Sequence, residues 1–242
     1  MKLFNFFNLF NYTNPIKVDI HSHLLPGIDD GVRTIEQSVA IIKKFKLLGY
    51  SKLIITPHVI SDLYPNNKET ITQKLQEVQY ALQEENINID IEASAEYYVD
   101  IEFLKLIEND DLLPFMGNYI LFETDYGSKP MILEQVIYRL QEKGYIPVLA
   151  HPERYRYLQN DIELYKSLKA HGVLFQINIK SLQNKSKTIY KIALQLIKLG
   201  LVDFVGSDVH KMRDIVKLKK TLQSSAYKNA IKNNTLLNNQ LY

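Results

Sequence analysis

From residue 17 onward, short apolar runs alternate with longer stretches whose apolar residues recur every three or four positions. The short runs cover 17–23, 52–56, 87–95, 119–124, 146–150, 173–179 and 202–206. They are rich in Val, Ile and Leu and too brief for helices, so they predict strands. The longer stretches, 34–49, 68–85, 100–108, 130–143, 161–170 and 186–199, carry the helical period, and a final helix is predicted from near Lys211. In 34–49, Ile35, Val39, Ile42 and Phe45 share one face, Thr34 and Gln37 fit a capping box, and Gly49 supplies the stop. Strict alternation of strand and helix predicts a parallel sheet with helices outside it. Seven such units without an obvious break favour an α/β fold of the (β/α)7 barrel kind.

No Gly/Ser-rich or Pro-rich linker interrupts 17–242, which therefore reads as one domain. Residues 1–16 read as an N-terminal extension. Its Phe-rich run is interrupted by Asn5, Asn8 and Asn11 and is followed by no small-residue cleavage site, so a non-cleaved amphipathic segment is expected, docking on the domain, a partner or a membrane surface. The Asn-rich tail, 229–242, is expected to be loosely held. No later segment approaches the ~20 apolar residues that a bilayer span requires, so stable membrane insertion is not expected and the cytoplasm is the default location.

Composition narrows the chemistry. The 242 residues carry a formal charge of +2, too small for a nucleic-acid partner, and the Lys217, Lys219, Lys220 cluster reads as a solvated helix face. There is no cysteine, which excludes disulfides, thiolate metal sites and cysteine nucleophiles.

What remains is imidazole and carboxylate, gathered at the predicted strand ends. His21 and His23 end the first strand, two apart and so able to face one point, and Asp30 follows in a paired-aspartate turn. His58 follows the second strand, Glu96 the third, Glu123 ends the fourth, His151 follows the fifth, and Asp208 and His210 follow the seventh. Five of the six histidines thus fall at the rim where parallel barrels keep their active sites, while His171 suits a helix C-terminus. Singly each has a bland explanation: His58 a turn residue, Asp208 a helix N-cap with His210 in its first turn. Together they are nine candidate ligands, and one catalytic ion takes about three. Two or three divalent ions are expected; manganese, iron and zinc all suit this donor set. Three divalent ions against four carboxylates leave about two positive charges, which favours a dianionic phosphate ester, and ions about 3.5–4 Å apart suit phosphoryl transfer to water without a phosphoenzyme. Arg154 is the candidate phosphate clamp, with a surface pair to Glu153 or Asp161 as its alternative; Arg33 and Arg213 are weaker versions of the same idea.

Five segments carry a resemblance. They are Asp19-Ile20-His21-Ser22-His23 with Asp29-Asp30-Gly31, Thr56-Pro57-His58, Ala93-Ser94-Ala95-Glu96-Tyr97, Leu149-Ala150-His151-Pro152-Glu153-Arg154-Tyr155 and Gly206-Ser207-Asp208-Val209-His210. In this order over about residues 17–222 the chain resembles the PHP (polymerase and histidinol phosphatase) superfamily, and most of all its bacterial manganese-dependent protein-tyrosine phosphatases, encoded with capsule and exopolysaccharide export systems. The resemblance implies a distorted barrel with a trinuclear centre. Asp30, His58 and His210 would hold one ion, and His21, His23, Glu96 and Asp208 another, with Glu96 shared towards Glu123 and His151. Arg154, Asp208 and His210 would be catalytic and Arg154 would bind phosphate. Where family members often have an Arg-Pro pair past the last histidine, this chain has Lys211, Met212, Arg213 and Asp214, leaving Arg213 as the candidate second phosphate contact.

The implied substrate is the phosphorylated tyrosine-rich tail of a membrane-anchored tyrosine kinase, attacked by a metal-bound hydroxide, and homo-oligomers occur in the family. The alternatives are a small-molecule phosphomonoesterase of the histidinol-phosphate phosphatase kind and a non-catalytic regulator that binds the kinase. Short inter-strand loops favour an open mouth that admits a protein tail, and a full ligand set favours a live site.

Overall fold

A computed structural model describes residues 14–159, 161–183 and 187–241. Residues 1–13 of the expected extension lie outside the described residues. Asn14 is buried and accepts hydrogen bonds from the Tyr227 hydroxyl at 3.0 Å and the Ile16 amide at 3.2 Å.

The strands are β1 (Val18–Asp19), β2 (Lys52–Ile55), β3 (His58–Val59), β4 (Asp90–Ala93), β5 (Glu96–Tyr98), β6 (Tyr119–Glu123), β7 (Ile146–Ala150), β8 (Leu174–Asn178) and β9 (Phe204–Gly206). The helices are α1 (Ile35–Leu47), α2 (Lys68–Glu84), α3 (Ile101–Glu108), α4 (Leu133–Glu142), α5 (Ile162–Ala170), α6 (Thr188–Lys198), α7 (Met212–Leu222) and α8 (Ser225–Asn233). All strand pairings are parallel, in the orders β1-β2-β4 and β3-β5-β6-β7-β8-β9.

Two of the predicted strands, 52–56 and 87–95, are each followed after a short break by a further strand that lies beyond the predicted run. Pro57 separates β2 from β3 because it has no amide to give the ladder, and Ser94 and Ala95 separate β4 from β5. Hydrogen bonds from the Ser94 amide to Ile55 O (2.9 Å) and from the Glu96 amide to Pro57 O (3.0 Å) carry the pairing across both breaks. Seven strand positions result. A parallel bridge between Ser22 and Val209 joins the first to the last, supported by the Asp208 amide on His21 O (2.7 Å) and the His23 amide on Val209 O (2.9 Å). The distorted (β/α)7 barrel follows. Its breaks set His58 directly opposite Glu96 in register.

Alternation along the strands sorts two apolar cores. Val18, Ile20, Ile54, Leu121, Val148, Ala150 and Phe204 pack together as one cluster, while Leu53, Ile55, Ile120, Phe122, Leu149 and Val205 face the helices in another. Strands buried on both faces explain why the sequence reads as continuous apolar runs rather than as alternation. The α1 cap differs from the expected box in one bond: Thr34 accepts from the Gln37 amide, but the Gln37 side chain takes the Arg33 amide at 2.9 Å. Among the described residues no helix is long and apolar enough to cross a membrane.

The C-terminal region corrects the expectation of a loose tail. After α7 comes a second helix, α8, which buries Ala226, Tyr227 and Ala230. The asparagines beyond it serve as backbone mimics. Asn238, fully buried, accepts from the Val205 amide (3.0 Å) and donates to Val205 O (2.8 Å) and Val18 O (3.0 Å), stapling β1 to β9. An amide side chain offers both a donor and an acceptor, which is what a strand edge lacks. Asn238→Ala is expected to lower unfolding stability by about 3 kcal/mol, because it strands buried backbone groups. Urea unfolding reads this, and a loss below about 0.5 kcal/mol, the range of ordinary surface changes, would deny the staple.

Candidate metal centre

The mouth of the barrel gathers all nine predicted side chains. His21 Nε2 and His23 Nε2 lie 3.2 Å apart, and Glu96 Oε2 sits 3.2 Å from the first and 3.5 Å from the second. Asp208 Oδ1 is 4.0 and 3.7 Å from the same two nitrogens. On one side, His151 Nε2 is 2.8 Å from Glu96 Oε1, and His58 Nδ1 is 3.2 Å from both Glu96 Oε2 and Glu123 Oε1. On the other, Asp30 Oδ1 is 3.2 Å from His210 Nε2 and 3.6 Å from His58 Nε2. These atoms form four overlapping groups compact enough to hold a cation, sharing His21, His23, His58 and Glu96.

Several neighbours fix the ring orientations. His23 Nδ1 donates to Asp29 Oδ2 at 2.8 Å, and His21 Nδ1 donates to Gln176 Oε1 at 2.7 Å, so both Nε2 lone pairs face the centre. The Asp29 turn must press on His23: a Cβ on Gly31 would meet His23 O at 2.2 Å, so only glycine fits there. Asp208 accepts from Asn178 Nδ2 (2.6 Å), Lys180 Nζ (2.8 Å) and Arg154 Nη1 (3.3 Å) on Oδ2, leaving Oδ1 to the imidazoles. Asp208 and His151 both take left-handed backbone angles, φ +50° and +34°, a strain that clusters at functional sites. The alternative of Asp208 as a helix N-cap is thereby removed. Lys211 holds that position, and Asp214 accepts from the Lys211 amide at 3.2 Å.

Charge is densely opposed here. Burial pulls His58 and His210 down, but Glu96 and Glu123 raise the first to about 9, and Asp208 and Asp30 raise the second to about 10. Burial prevails at His23 and His151, both lowered to about 4, with His210 and Arg154 adding repulsion. Burial also works against ionised Glu96, yet His21, His58 and His151 hold its carboxyl well below the usual range. Glu123 is raised by burial and by Glu96.

The donor set fits divalent cations. Glu96 Oε2, His58 Nδ1 and His151 Nδ1 are buried polar atoms without a hydrogen bond, although Glu96 Oε2 and His58 Nδ1 stand 3.2 Å apart. A carboxylate oxygen ringed by ring nitrogens at angles unsuited to hydrogen bonding is arranged for coordination, and imidazole with carboxylate suits manganese, iron and zinc alike.

Cations and rings complete the cleft, a cavity of about 470 Å³. The alternative partners of Arg154 are engaged elsewhere. Buried Glu153 accepts from the Asn178 amide (3.0 Å) and Ser181 hydroxyl (2.7 Å), and Asp161 caps α5. Arg154 instead stacks 4.7 Å over the Tyr126 ring and reaches Asp208. Arg213 lines the same cleft, as do Ile60, Leu63 and Tyr64. Arg33 lines a neighbouring cavity, and His171 lies outside the cleft at the end of α5, where its Nδ1 donates to Ser167 O at 2.7 Å.

Sequence reasoning missed Asp29, Gln176, Asn178, Lys180 and Tyr126. For two of them a signal existed: Gln176 and Asn178 alternate with Phe175 and Ile177 in a strand otherwise apolar and buried, and a polar side chain there needs a partner.

The chain is similar to several known proteins. The tyrosine-protein phosphatase YwqE of Bacillus subtilis (strain 168) is 31% identical over 198 residues, 81% of this chain and 78% of its own length. The tyrosine-protein phosphatase CpsB of Streptococcus agalactiae is 26% identical over 203 residues, 81% of this chain and 83% of its own. A solved structure from work on YwqE of Bacillus subtilis and CpsB of Streptococcus pneumoniae, described as unique metal-dependent tyrosine phosphatases, superposes with a TM-score of 0.78 at 29% identity, covering 90% of this chain and 96% of that one. An amidohydrolase from Mycoplasma synoviae, 14% identical with a TM-score of 0.54, shares the fold alone. Residues 17–236 match the family profile for capsular polysaccharide synthesis, CpsB/CapC, and the chain belongs to that family.

Proposed function

We propose that this protein is a cytoplasmic, metal-dependent protein-tyrosine phosphatase whose substrate is the phosphorylated tail of a bacterial polysaccharide-export tyrosine kinase. The observation that carries the reading is the convergence of nine imidazoles and carboxylates, with Arg154 and Lys180 beside them, in one open cleft. The tyrosine-phosphatase relatives and the capsule-synthesis family support the substrate class.

Asp30, His58 and His210 would hold one ion, His21, His23, Glu96 and Asp208 a second, and Glu96, Glu123 and His151 a third, with manganese the favoured metal and iron or zinc suited as well. Bound there, divalent ions supply a water that is nucleophilic near neutral pH and neutralise charge on the phosphoryl oxygens. The chain's own residues do the rest. Arg154 presents a planar fork to two phosphoryl oxygens, held in place by the Tyr126 ring. Lys180, anchored on both Asp208 Oδ2 (2.8 Å) and Asp208 O (2.7 Å), adds a second positive charge. Leu63, Tyr64 and Tyr126 offer apolar surface to the phenyl ring of phosphotyrosine. A phenolate, with a pKa near 10, leaves without a strong general acid, so a site built of ligands and cations is chemically sufficient.

Purified protein supplied with manganese is expected to hydrolyse p-nitrophenyl phosphate and phosphotyrosine peptides, to stop when a chelator removes the ions, and to recover when manganese returns. Turnover surviving complete metal removal, confirmed by elemental analysis, would overturn the reading.

A further inference from the structure

A second cavity of about 570 Å³ opens beside the metal cleft, between the start of α1 and the start of α7. Val32, Ala40, Ile41 and Met212 give it apolar walls, and His210 and Lys211 line both cavities, so the two adjoin. Met212 is 41% exposed although it opens a helix at the edge of the mouth, and thioethers adapt to varied apolar partners. The rim carries Arg33 and Lys211 against the single acid Glu36, a balance that suits an anionic peptide.

We propose that this cavity is a substrate subsite that takes an aliphatic side chain flanking the phosphorylated tyrosine. The inference rests on the phosphatase reading and extends it to sequence preference. The shared wall of His210 and Lys211, with the basic rim of Arg33 and Lys211, argues for the occupant. An extended peptide advances about 3.3 Å per residue, so a residue close to the phosphotyrosine in sequence is the one an adjoining cavity would take. The cavity's size lies within the range of ligand pockets, so it accommodates a leucine without reshaping.

The test compares two phosphotyrosine-mimic peptides that cannot be hydrolysed, identical except for leucine or glycine at the flanking position, by fluorescence polarisation on the manganese-loaded protein. The leucine peptide is expected to bind about tenfold tighter. Met212→Asp should bring the ratio below about twofold; aspartate in the first turn of a helix is favourable, so the fold is retained. An independent filling variant, Ala40→Leu, should lower the ratio in the same way. Equal affinities in the unaltered protein, or a preference that neither variant moves, would overturn the subsite. A dimer by ultracentrifugation that Met212→Asp dissociates would assign the cavity to a second copy and overturn it too. Because the readout is binding, it is separate from turnover: a leucine preference in a protein that never hydrolyses p-nitrophenyl phosphate would sustain the subsite and strike the phosphatase reading alone.

Discussion

Glu96→Gln is expected to remove at least one bound divalent ion and about a thousandfold in turnover, the several kcal/mol that metal stabilisation of a transition state represents. The reason lies in position. One carboxylate meets four imidazoles: Oε2 lies 3.2 Å from His21 and from His58 and 3.5 Å from His23, while Oε1 lies 2.8 Å from His151. It belongs to two of the four cation-sized groups, so it joins the proposed ion sites to one another. Glutamine keeps the shape and loses the charge. The side chain is 1% exposed, so solvent does little to replace the lost charge. Elemental analysis and phosphotyrosine-peptide kinetics on protein with an unchanged circular dichroism spectrum check this. Full metal content with turnover within tenfold of the unaltered protein would show that Glu96 is a structural carboxylate.

Glu96 also shows how far the sequence could be read. Its neighbourhood was legible because strands feed a rim: the runs leading to His21, His58 and His151 are each short and apolar, and parallel barrels put such ends together. What could not be read was the interruption. Pro57 announced itself, but the break at Ser94 and Ala95 carries no proline or glycine, and it arises from the register that sets Glu96 opposite His58. Orientation was equally hidden. Gln176 and Asn178 come from the sixth strand position and Lys180 from the turn beyond it, and only the folded sheets bring them to His21 and Asp208. The tail failed for a different reason. Asparagine-rich sequence looks like solvated chain when nothing indicates a strand edge in need of a partner, and the edges that Asn238 satisfies belong to β1 and β9, the outer strands of the two sheets, more than thirty residues away.

Arg154→Ala is expected to lower kcat/KM by about a hundredfold on both p-nitrophenyl phosphate and phosphotyrosine peptide, the loss of a charge-assisted bidentate contact, while metal content stays unchanged. The geometry separates these two outcomes. Arg154 touches Asp208 at 3.3 Å, but Asn178 and Lys180 hold the same oxygen at 2.6 and 2.8 Å, so Asp208 keeps its place without the guanidinium. Tyr126 supports the arginine from its other face, 4.7 Å away, and fixes the plane of the fork towards the cleft. Arg154→Lys should recover only a small part of the loss, since an ammonium restores charge but neither the fork nor the stacking. Two results would contradict the assignment, and each has its own meaning. A rate that does not change would make Arg154 a partner of Asp208 alone, whereas a fall in rate accompanied by loss of an ion would place its role in holding Asp208 rather than in binding phosphate.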